Sequence, residues 1–384
     1  MNDREVMFFL QSVNGIGRKT IRHLWDYFGG GEAIMNASEK ELKQILKPSR
    51  LRSFLEDRER KIPQEELRKL SGKEIEYYSI FDEGYPKRLL EIDDAPVGLF
   101  VRGTLPEEDI LTVSVVGTRK HSYYGEKQTR QFGRMIAEKG IPIISGMARG
   151  IDGIAQNTAV EYGAKTYAVL GCGVDICYPY EHYGLYQKIP ACGGVISEYF
   201  PGTQPAAGLF PLRNRIISGL GDILLVMEAR EKSGTFITVD MALEQGKEIW
   251  VLPGRVDDAL SVGCNRLIAQ GANILPPVNE FEAELDGLCE KYNRRSGQNE
   301  KQIRGKRESG TDGIPAIYTD DLSLLEKAVA AALDYQPLSL DAIYESLDSE
   351  SRQHNSICQV SVALVKLCMK KVAKQVSAGY YIRC

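Results

Sequence analysis

Two arginines and an asparagine are the residues of this chain best suited to receive an anion. The segment Phe210–Gly219 reads FPLRNRIISG and precedes the apolar run Ile223–Met227. Arg213 and Arg215 keep their charge near neutral pH and offer a planar fork of donors that suits phosphate, and Asn214 can donate to and accept from a base or ribose edge. At the N-terminus of a predicted helix, these three side chains indicate a nucleotide or a nucleic-acid strand as ligand.

Glycine- and serine-containing loops recur where strands of an α/β sheet are predicted to end. In open sheets of this kind the ligand crevice lies outside the carboxyl ends of the strands, so such loops should converge on one rim. Glycine lets backbone N–H groups approach an anion, and each following helix adds its positive end. One such loop is more often a tight turn, but several of them together with Arg119 and Arg149 favour phosphate contact. The loops are Gly117-Thr118-Arg119, Ser145 to Gly150, Gly171-Cys172-Gly173 and Ser233-Gly234-Thr235.

No pattern in the sequence predicts catalytic machinery. A nucleophile elbow, an H-E-x-x-H motif, a Walker A lysine and an acidic cluster for two Mg²⁺ ions are all missing. Glu198 and Glu228 follow predicted strands and are interpreted as partners of nearby arginines, and Asp152 as a helix N-cap. The 8 cysteines and 4 histidines lack zinc spacing, so neither a metal nor a cofactor is expected.

Charge and composition place the chain among cytoplasmic globular proteins. The net charge of -4 gives no overall attraction to nucleic acid, so a local patch must provide it. A hydrophobic content of 43% is enough for a sizeable core. The N-terminus does not resemble a signal peptide, and no apolar run approaches membrane-spanning length. No membrane partner is therefore expected.

The central part of the chain predicts a Rossmann-like, doubly wound, mostly parallel sheet of the α/β class over residues 75–285. Short β-branched runs alternate there with helical patterns, as expected for strands buried on both faces. The predicted strands are 111–116, 142–145, 165–170, 194–196, 222–227 and 248–252. The predicted helices are 124–139, 152–162, 180–188, 213–220 and 235–246.

Smaller modules are predicted on both sides of this core. Residues 1–70 have helical spacing, and VNGIGRK at 13–19 fits the turn of a helix-hairpin-helix or SAM-like domain, which could bind either a phosphate or only protein. Residues 77–103 are predicted to form an irregular connector. A basic flexible linker is expected at 286–320. Three helical patterns and a terminal hairpin at 321–384 predict a winged-helix domain.

Taken together, these motifs resemble the bacterial DNA-processing protein A family, also called DprA or Smf. The similarity runs from Gly84-Tyr85-Pro86 to Gly271-Ala272, and the flanking modules look like those of many members. Where members commonly have a histidine after Gly-Ile-Asp-Gly-x-Ala, this chain has Gln156. The most specific blocks are Ser145 to Gly153, Cys177-Tyr178-Pro179, Phe210 to Gly219, Ser233-Gly234-Thr235, and Pro253-Gly254 with Ser261 to Asn265.

The resemblance implies a non-catalytic, usually homodimeric cytoplasmic protein. Such a protein binds and protects incoming single-stranded DNA and loads RecA recombinase in natural transformation or recombination, with single-strand-binding protein as a further candidate partner. Phe210 could stack on a base or seal the core, and both alternatives stay open. The DNA-binding residues implied by position, with Gly150 from the same loop, are Gly117, Arg119, Ser145, Gly146, Arg149, Gly150, Phe210, Arg213, Asn214, Arg215, Ser233, Gly234 and Thr235.

The alternative is a nucleotide-processing enzyme of the phosphoribohydrolase-like Rossmann group. Enzymes of that group carry a Pro-Gly-Gly-x-Gly-Thr loop followed by a catalytic glutamate. In this chain Thr235 is followed by Phe236, Ile237 and Thr238, so the carboxylate is missing at the expected place.

Overall fold

A computed structural model describes residues 1–290, 292, 323–333, 338–347, 357–370, 373–377 and 380–383. The chain divides into two compact units, residues 1–302 and residues 303–384. The predicted basic linker at 286–320 lies mostly outside the described residues. The finer domain boundaries drawn from the sequence stay predictions.

The first unit begins with a run of helices that share an apolar core. Asn2 caps the first helix through a capping box with Glu5. Phe9 packs edge-to-face against Phe54 at a centroid distance of 5.4 Å, which joins the first and fifth helices. The helices are α1 (Asp3–Ser12), α2 (Arg18–Phe28), α3 (Gly31–Asn36), α4 (Glu39–Leu42), α5 (Pro48–Arg60) and α6 (Pro63–Ser71).

A nine-stranded sheet follows, in the order β1-β2-β6-β5-β4-β3-β7-β8-β9. The seven strands from β6 to β9 in this order are parallel, while β1 and β2 extend the β6 edge as antiparallel strands. The large, mostly parallel α/β sheet predicted from the sequence is confirmed. The strands are β1 (Glu76–Ser79), β2 (Gly98–Gly103), β3 (Val113–Val116), β4 (Ile143–Ser145), β5 (Thr166–Val169), β6 (Gly194–Ser197), β7 (Ile223–Val226), β8 (Glu248–Val251) and β9 (Asn273–Ile274).

Helices cover both faces of this sheet. Val113 and Val115 pack on one face with side chains from α8, α9 and α14, whereas Val116 packs on the other face with side chains from α11 and α12. This division follows from the alternation of side chains along a strand. The helices are α7 (Lys87–Leu90), α8 (Tyr123–Glu138), α9 (Ile151–Glu161), α10 (Tyr183–Cys192) after a 3₁₀ turn (Tyr180–His182), α11 (Leu209–Leu220), α12 (Thr235–Glu244), α13 (Val262–Ala269) and α14 (278–290).

The prediction of an irregular connector at residues 77–103 was wrong. Residues 76–79 and 98–103 form β1 and β2, which pair with each other, and β2 also pairs with β6. Gly84 lies in a turn between the two strands and Pro86 is the N-cap of α7, whereas Gly98 and Gly103 are the first and last residues of β2. The prediction used the average composition of residues 77–103, which does not reveal the short buried run at residues 98–101.

The second unit contains three described helices and a three-stranded antiparallel sheet in the order β10-β12-β11. Val329, Ile343, Leu364 and Leu367 form part of its apolar core. The elements are α15 (Leu324–Ala332), β10 (Leu338–Ser339), α16 (Leu340–Ser346), α17 (Ile357–Met369), β11 (Ala373–Ser377) and β12 (Tyr380–Arg383). Throughout the described residues of both units, no helix is long and apolar enough to cross a membrane.

Candidate functional site

A groove opens at the carboxyl ends of β3 and β7, where the strand order reverses. From β3 the chain continues through β4 and β5 to β6 on one side of this point, and from β7 it continues through β8 to β9 on the other side. In open parallel sheets this arrangement leaves a ligand crevice between the two central strands. The groove has a volume of about 620 Å³ and continues into a narrower pocket beside it. We refer to both together as the groove. Its walls are the loop after β3, the loop after β4, residues 178–179, the start of α11 and the start of α12.

Most of the residues predicted for the site line this groove. Ser145, Gly150 and Arg215 do not. The Ser145 hydroxyl donates to the carbonyl of Val115 at 2.7 Å and so joins β4 to β3. Gly150 has a φ of +77° and passes so close to the Thr118 carbonyl that a Cβ atom could not be accommodated. The residues brought together are Gly117, Arg119, Gly146, Arg149, Phe210, Arg213, Asn214, Ser233, Gly234 and Thr235.

Arg213 is held in the base of the groove by backbone carbonyls. Its side chain is buried, and Nη1 donates to the carbonyls of Gly146, at 2.9 Å, and Val169. Nε donates to Oδ1 of Asn214, while Nη2 has no hydrogen-bond partner within the described residues. A Cβ atom at position 146 would lie 2.5 Å from Nη1, so any larger residue there would displace this guanidinium. One edge of Arg213 is therefore fixed, and Nη2 is free to donate to a ligand.

Burial lowers the pKa of Arg213 to about 10, and the nearby Asp152 carboxylate opposes this shift. Arg213 therefore remains charged at neutral pH. Asp152 is itself buried, which raises its pKa, and it accepts from the Gly146 amide at 3.2 Å. The interpretation of Asp152 as a helix N-cap was wrong. The N-cap of α9 is Gly150, and the Asp152 side chain instead holds the loop after β4 against Arg213.

Arg119 contributes an exposed positive charge at the mouth of the groove. Its guanidinium lies 5.7 Å from the centroid of the Phe210 ring, within the range of a cation–π contact. Among the described residues, no carboxylate lies within ion-pair distance of Arg119. Lys232 is also exposed and lines the groove without a described ion-pair partner. The rim thus has two cations that nearby carboxylates do not neutralise.

Phe210 forms half of an aromatic pair in the wall of the groove. Its ring stacks on that of Tyr178, with a centroid distance of 5.3 Å and an interplanar angle of 28°. Phe210 is half-buried against Gly171, and 42% of Tyr178 is exposed. Tyr178 was missed as a site residue, although Cys177-Tyr178-Pro179 was among the specific sequence blocks. Its aromatic ring beside a predicted anion site was the available signal.

Arg149 lines the narrow part of the groove and is paired with Glu181. Nε and Nη2 of Arg149 donate to the two carboxylate oxygens of Glu181, each at 2.6 Å. More than half of both side chains is exposed, so this pair is expected to contribute little to stability. Nη1 of Arg149 has no partner in the part of the chain that the structure describes.

Arg215 points away from the groove into a buried ion pair. Its Nη1 and Nη2 donate to the carboxylate of Glu198 at 2.7 and 2.6 Å, and its Nε donates to the Asp94 carbonyl at 2.6 Å. Helix α11 begins at Leu209, four residues before the predicted start at 213, so both arginines lie within the helix. Residues two apart on a helix differ by about 200° in direction, so Arg213 and Arg215 occupy opposite sides.

The two glutamates at strand ends have different roles. Glu198 pairs with Arg215, which confirms its interpretation as an arginine partner. For Glu228 that interpretation was wrong, because its carboxylate accepts from the backbone N–H of Ser122, at 2.9 Å, and from the Ser122 hydroxyl at the start of α8. This acidic group stabilises a helix N-terminus.

The start of α12 provides the remaining wall. The Ser233 hydroxyl donates to Oγ1 of Thr235 at 2.9 Å and accepts from the Thr235 amide at 3.2 Å. The Gly234 amide has no acceptor within the described residues. The positive end of the helix and this amide face the same groove as Arg213, a combination suited to an anion.

Comparison with known proteins places the groove within a known family. The sequence profile described as DNA recombination-mediator protein A matches residues 76–286, which include every groove residue. Protein Smf of Synechocystis is 33% identical over 309 residues, covering 76% of this chain and 74% of the relative. DNA processing protein DprA of Streptococcus pneumoniae is 41% identical over 209 residues, covering 54% of this chain and 74% of the relative.

Two solved structures resemble this fold. The X-ray structure of DprA from Streptococcus pneumoniae superposes with a TM-score of 0.63 at 32% identity and covers 74% of this chain and 99% of that one. A structure of DNA processing protein A from Helicobacter pylori, described by its unique single-stranded DNA binding mode, gives a TM-score of 0.50 at 30% identity. It covers 54% of this chain and 95% of that one.

Proposed function

The chain belongs to the DNA recombination-mediator protein A family, and we propose that it binds single-stranded DNA in the groove. One observation carries the proposal. Unneutralised cations and an aromatic pair line the same groove, with Arg119 lying over the Phe210 ring. The cations suit phosphates, and the rings suit unpaired bases. The Helicobacter pylori relative, which is described as binding single-stranded DNA, supports the same ligand.

The preference for single strands follows from the aromatic pair. A base can stack on Tyr178 or Phe210 only if its face is free, and in a duplex both faces are covered by neighbouring bases. Stacking of this kind is sequence-tolerant and contributes roughly 1 to 3 kcal/mol per base. We therefore propose binding with little sequence preference. Of the two alternatives for Phe210, its half-exposed position against Tyr178 favours stacking on a base.

The cellular role that we propose follows from the family. The protein would protect incoming single-stranded DNA in the cytoplasm and load RecA recombinase during natural transformation or recombination. It would act as a homodimer, with single-strand-binding protein as a further partner. The names of the relatives as DNA processing proteins support the first part of this role.

The flanking modules belong to the same proposal. We assign residues 1–70 to a helix-hairpin-helix or SAM-like domain and residues 321–384 to a winged helix. Arg18 of the proposed hairpin forms an ion pair with Asp94 at 2.6 Å, which favours a packing role over phosphate binding. On α17, the candidate recognition helix, Val362 and Val365 are exposed, so we expect no sequence-specific duplex binding.

A binding comparison tests the proposed ligand. Labelled oligothymidylate and a duplex of equal length are titrated with the full chain at fixed salt. We expect the single strand to bind at least about 10-fold more tightly than the duplex. This difference corresponds to one base-stacking contact that the duplex cannot make. Equal affinity for the duplex would remove the proposal. Strand exchange by the cognate RecA on DNA coated with single-strand-binding protein tests the loading role, which requires faster exchange when this chain is added.

We propose no catalytic step in this groove. Asp152 is the carboxylate among the groove-lining residues, and it is buried against the Gly146 amide beside Arg213. The residue after Thr235 is Phe236, where the phosphoribohydrolase-like enzymes have their glutamate. Incubation with AMP tests the enzymatic alternative, and release of free adenine would support it.

Replacing Glu181 with glutamine is expected to strengthen binding of oligothymidylate by about 2- to 5-fold at low salt. The change releases Arg149 from a full ion pair and removes a negative charge beside the groove. Because both groups are exposed, added salt should reduce the gain. Fluorescence anisotropy at two salt concentrations provides the measurement.

Glu138→Gln is the matched control, since Glu138 pairs with Arg134 on α8 and does not line the groove. An unchanged or weaker affinity of Glu181→Gln would contradict the expectation.

A further inference from the structure

An exposed pair of tyrosines lies immediately beyond the aromatic wall of the groove. Tyr180 and Tyr183 stack with a centroid distance of 5.6 Å and an interplanar angle of 29°. Of these residues, 77% and 48% are exposed, and neither hydroxyl has a hydrogen-bond partner in the described part of the chain. Two large rings are thus held face to face in solvent, and the outer face of one is available to a further ring.

The pair rests on a rigid base. The Tyr183 ring lies 6.4 Å from that of Tyr186, which is buried and donates its hydroxyl to the Val174 carbonyl at 2.6 Å. The Arg102 guanidinium lies over the Tyr186 ring at 5.1 Å and donates to its hydroxyl. The rings of Tyr186, Tyr183 and Tyr180 therefore lie in a row from the core to the surface. A ligand stacking on Tyr180 would therefore meet a preorganised surface, which reduces the entropy lost on binding.

The pair lies on the same turn as residues that contact the wall of the groove. Tyr178 lines the groove and precedes Tyr180 by two residues, and Glu181 between the two exposed tyrosines holds Arg149 of the groove wall. Nδ1 of His182 lies 3.0 Å from the Met147 carbonyl, which ties the same turn to the loop after β4. A strand that leaves the groove beside Arg149 would therefore meet the turn that carries Tyr180.

We propose that Tyr180 and Tyr183 form a second base-stacking site, onto which single-stranded DNA continues from the groove past Arg149. The inference rests on the proposed function, because it extends the track of the same ligand. Nη1 of Arg149 would contact the phosphate between the two sites. The footprint on the strand is then longer than the groove alone provides, and the affinity rises with strand length until the second site is filled.

The nature of the surface favours nucleic acid as its occupant. The rings are stacked on each other rather than spread into a flat apolar patch, and the neighbouring cation is part of the groove wall. Stacked rings next to an arginine match the alternation of bases and phosphates along a strand. Exposed tyrosines could instead contact a second copy of this chain. The experiment distinguishes between DNA and a second copy.

The test is the length dependence of affinity. Oligothymidylates from about 4 to about 16 nucleotides are titrated with the full chain and with two double variants. Tyr180→Leu with Tyr183→Leu removes both rings, whereas Tyr180→Phe with Tyr183→Phe keeps them. We expect the leucine variant to lose about 10-fold in affinity for the longest strand and nothing for the shortest, and the phenylalanine variant to behave like the unmodified protein.

The controls separate failure of this inference from failure of the proposed function. If the unmodified protein binds none of the strands, the proposed function fails. If it binds them and the leucine variant matches it at every length, the second site is refuted. A change in oligomeric state without a change in affinity also refutes it. Tyr27→Leu controls for loss of an exposed tyrosine away from the groove lining, and Tyr180→Leu alone replaces the double variant if that variant does not fold.

Discussion

Replacing Arg119 with alanine is expected to weaken binding of oligothymidylate by roughly 10- to 100-fold, the equivalent of one hydrogen bond to a charged group. The guanidinium is exposed, has no described carboxylate partner and lies over the Phe210 ring. Its removal would eliminate the proposed phosphate contact and the cation above the Phe210 ring. The free energy of unfolding should stay within about 0.5 kcal/mol of the original value, as for most surface substitutions.

Anisotropy titration and urea unfolding of the same preparations measure the two effects of Arg119→Ala. The matched control is Arg134→Ala, because Arg134 is exposed on α8, pairs with Glu138 and does not line the groove. The control should bind the oligonucleotide normally. Equal affinities of the two variants would show that the positive rim does not contact the strand.

Replacing Arg215 with alanine is expected to lower the free energy of unfolding by about 3 to 5 kcal/mol. The side chains of Arg215 and Glu198 are only 5% and 7% exposed, so the change would leave a buried carboxylate without its partner. The contact of Arg215 with the Asp94 carbonyl would also be lost. Denaturant unfolding provides the measurement.

A double-mutant cycle identifies the cause of this loss. If the unpaired charge is responsible, Glu198→Gln in the Arg215→Ala background should restore part of the lost stability, because the remaining side chain is neutral. A stable Arg215→Ala protein with weakened DNA binding would contradict our account, since Arg215 would then act in the groove.

The contacts of Arg213 and Arg215 give the two neighbouring arginines of α11 separate roles. A variant that replaces Arg213 and Arg215 together would lose binding for two unrelated reasons, a missing ligand contact and a damaged fold. Arg213 is also buried beside Asp152, so its own replacement affects both properties. Arg119 makes no described side-chain hydrogen bond, so its replacement tests the proposed binding without the loss of such a bond.

The sheet was predictable because its strands and helices are local patterns. Apolar runs such as Ile223–Val226 are buried on both faces of a parallel sheet, and amphipathic helices separate them. The same pattern places loops at the carboxyl ends of the strands, so Gly117, Gly146 and Ser233 could be assigned to one rim. Topology thus predicted much of the groove without any knowledge of individual contacts.

The direction of individual side chains was not predictable in this way. An error of four residues in the start of α11 made Arg213 and Arg215 look like exposed residues at a helix mouth. Their partners, the Gly146 carbonyl and Glu198, lie 67 and 17 residues away in the chain. Contacts of this type depend on tertiary packing, which leaves no periodic signal in the sequence.

The groove also shows why the net charge was a poor guide. A chain with a net charge of -4 can still present a positive surface where cations lack nearby carboxylates. Arg119 and Lys232 have no described acidic partner, whereas exposed arginines such as Arg134 and Arg266 form ion pairs. The pairing of each cation therefore points to the proposed binding surface, which the total charge does not do.

The salt dependence of single-strand affinity tests the central claim most directly. The logarithm of the binding constant for oligothymidylate is measured against the logarithm of salt concentration for the unmodified protein and for Arg119→Ala with Lys232→Ala. Each phosphate contact contributes a slope of about -0.7, so the double variant should show a slope smaller in magnitude by about 1.4. Two parallel lines would mean that these cations do not contact the phosphates, and the groove would not be the site of single-stranded DNA binding.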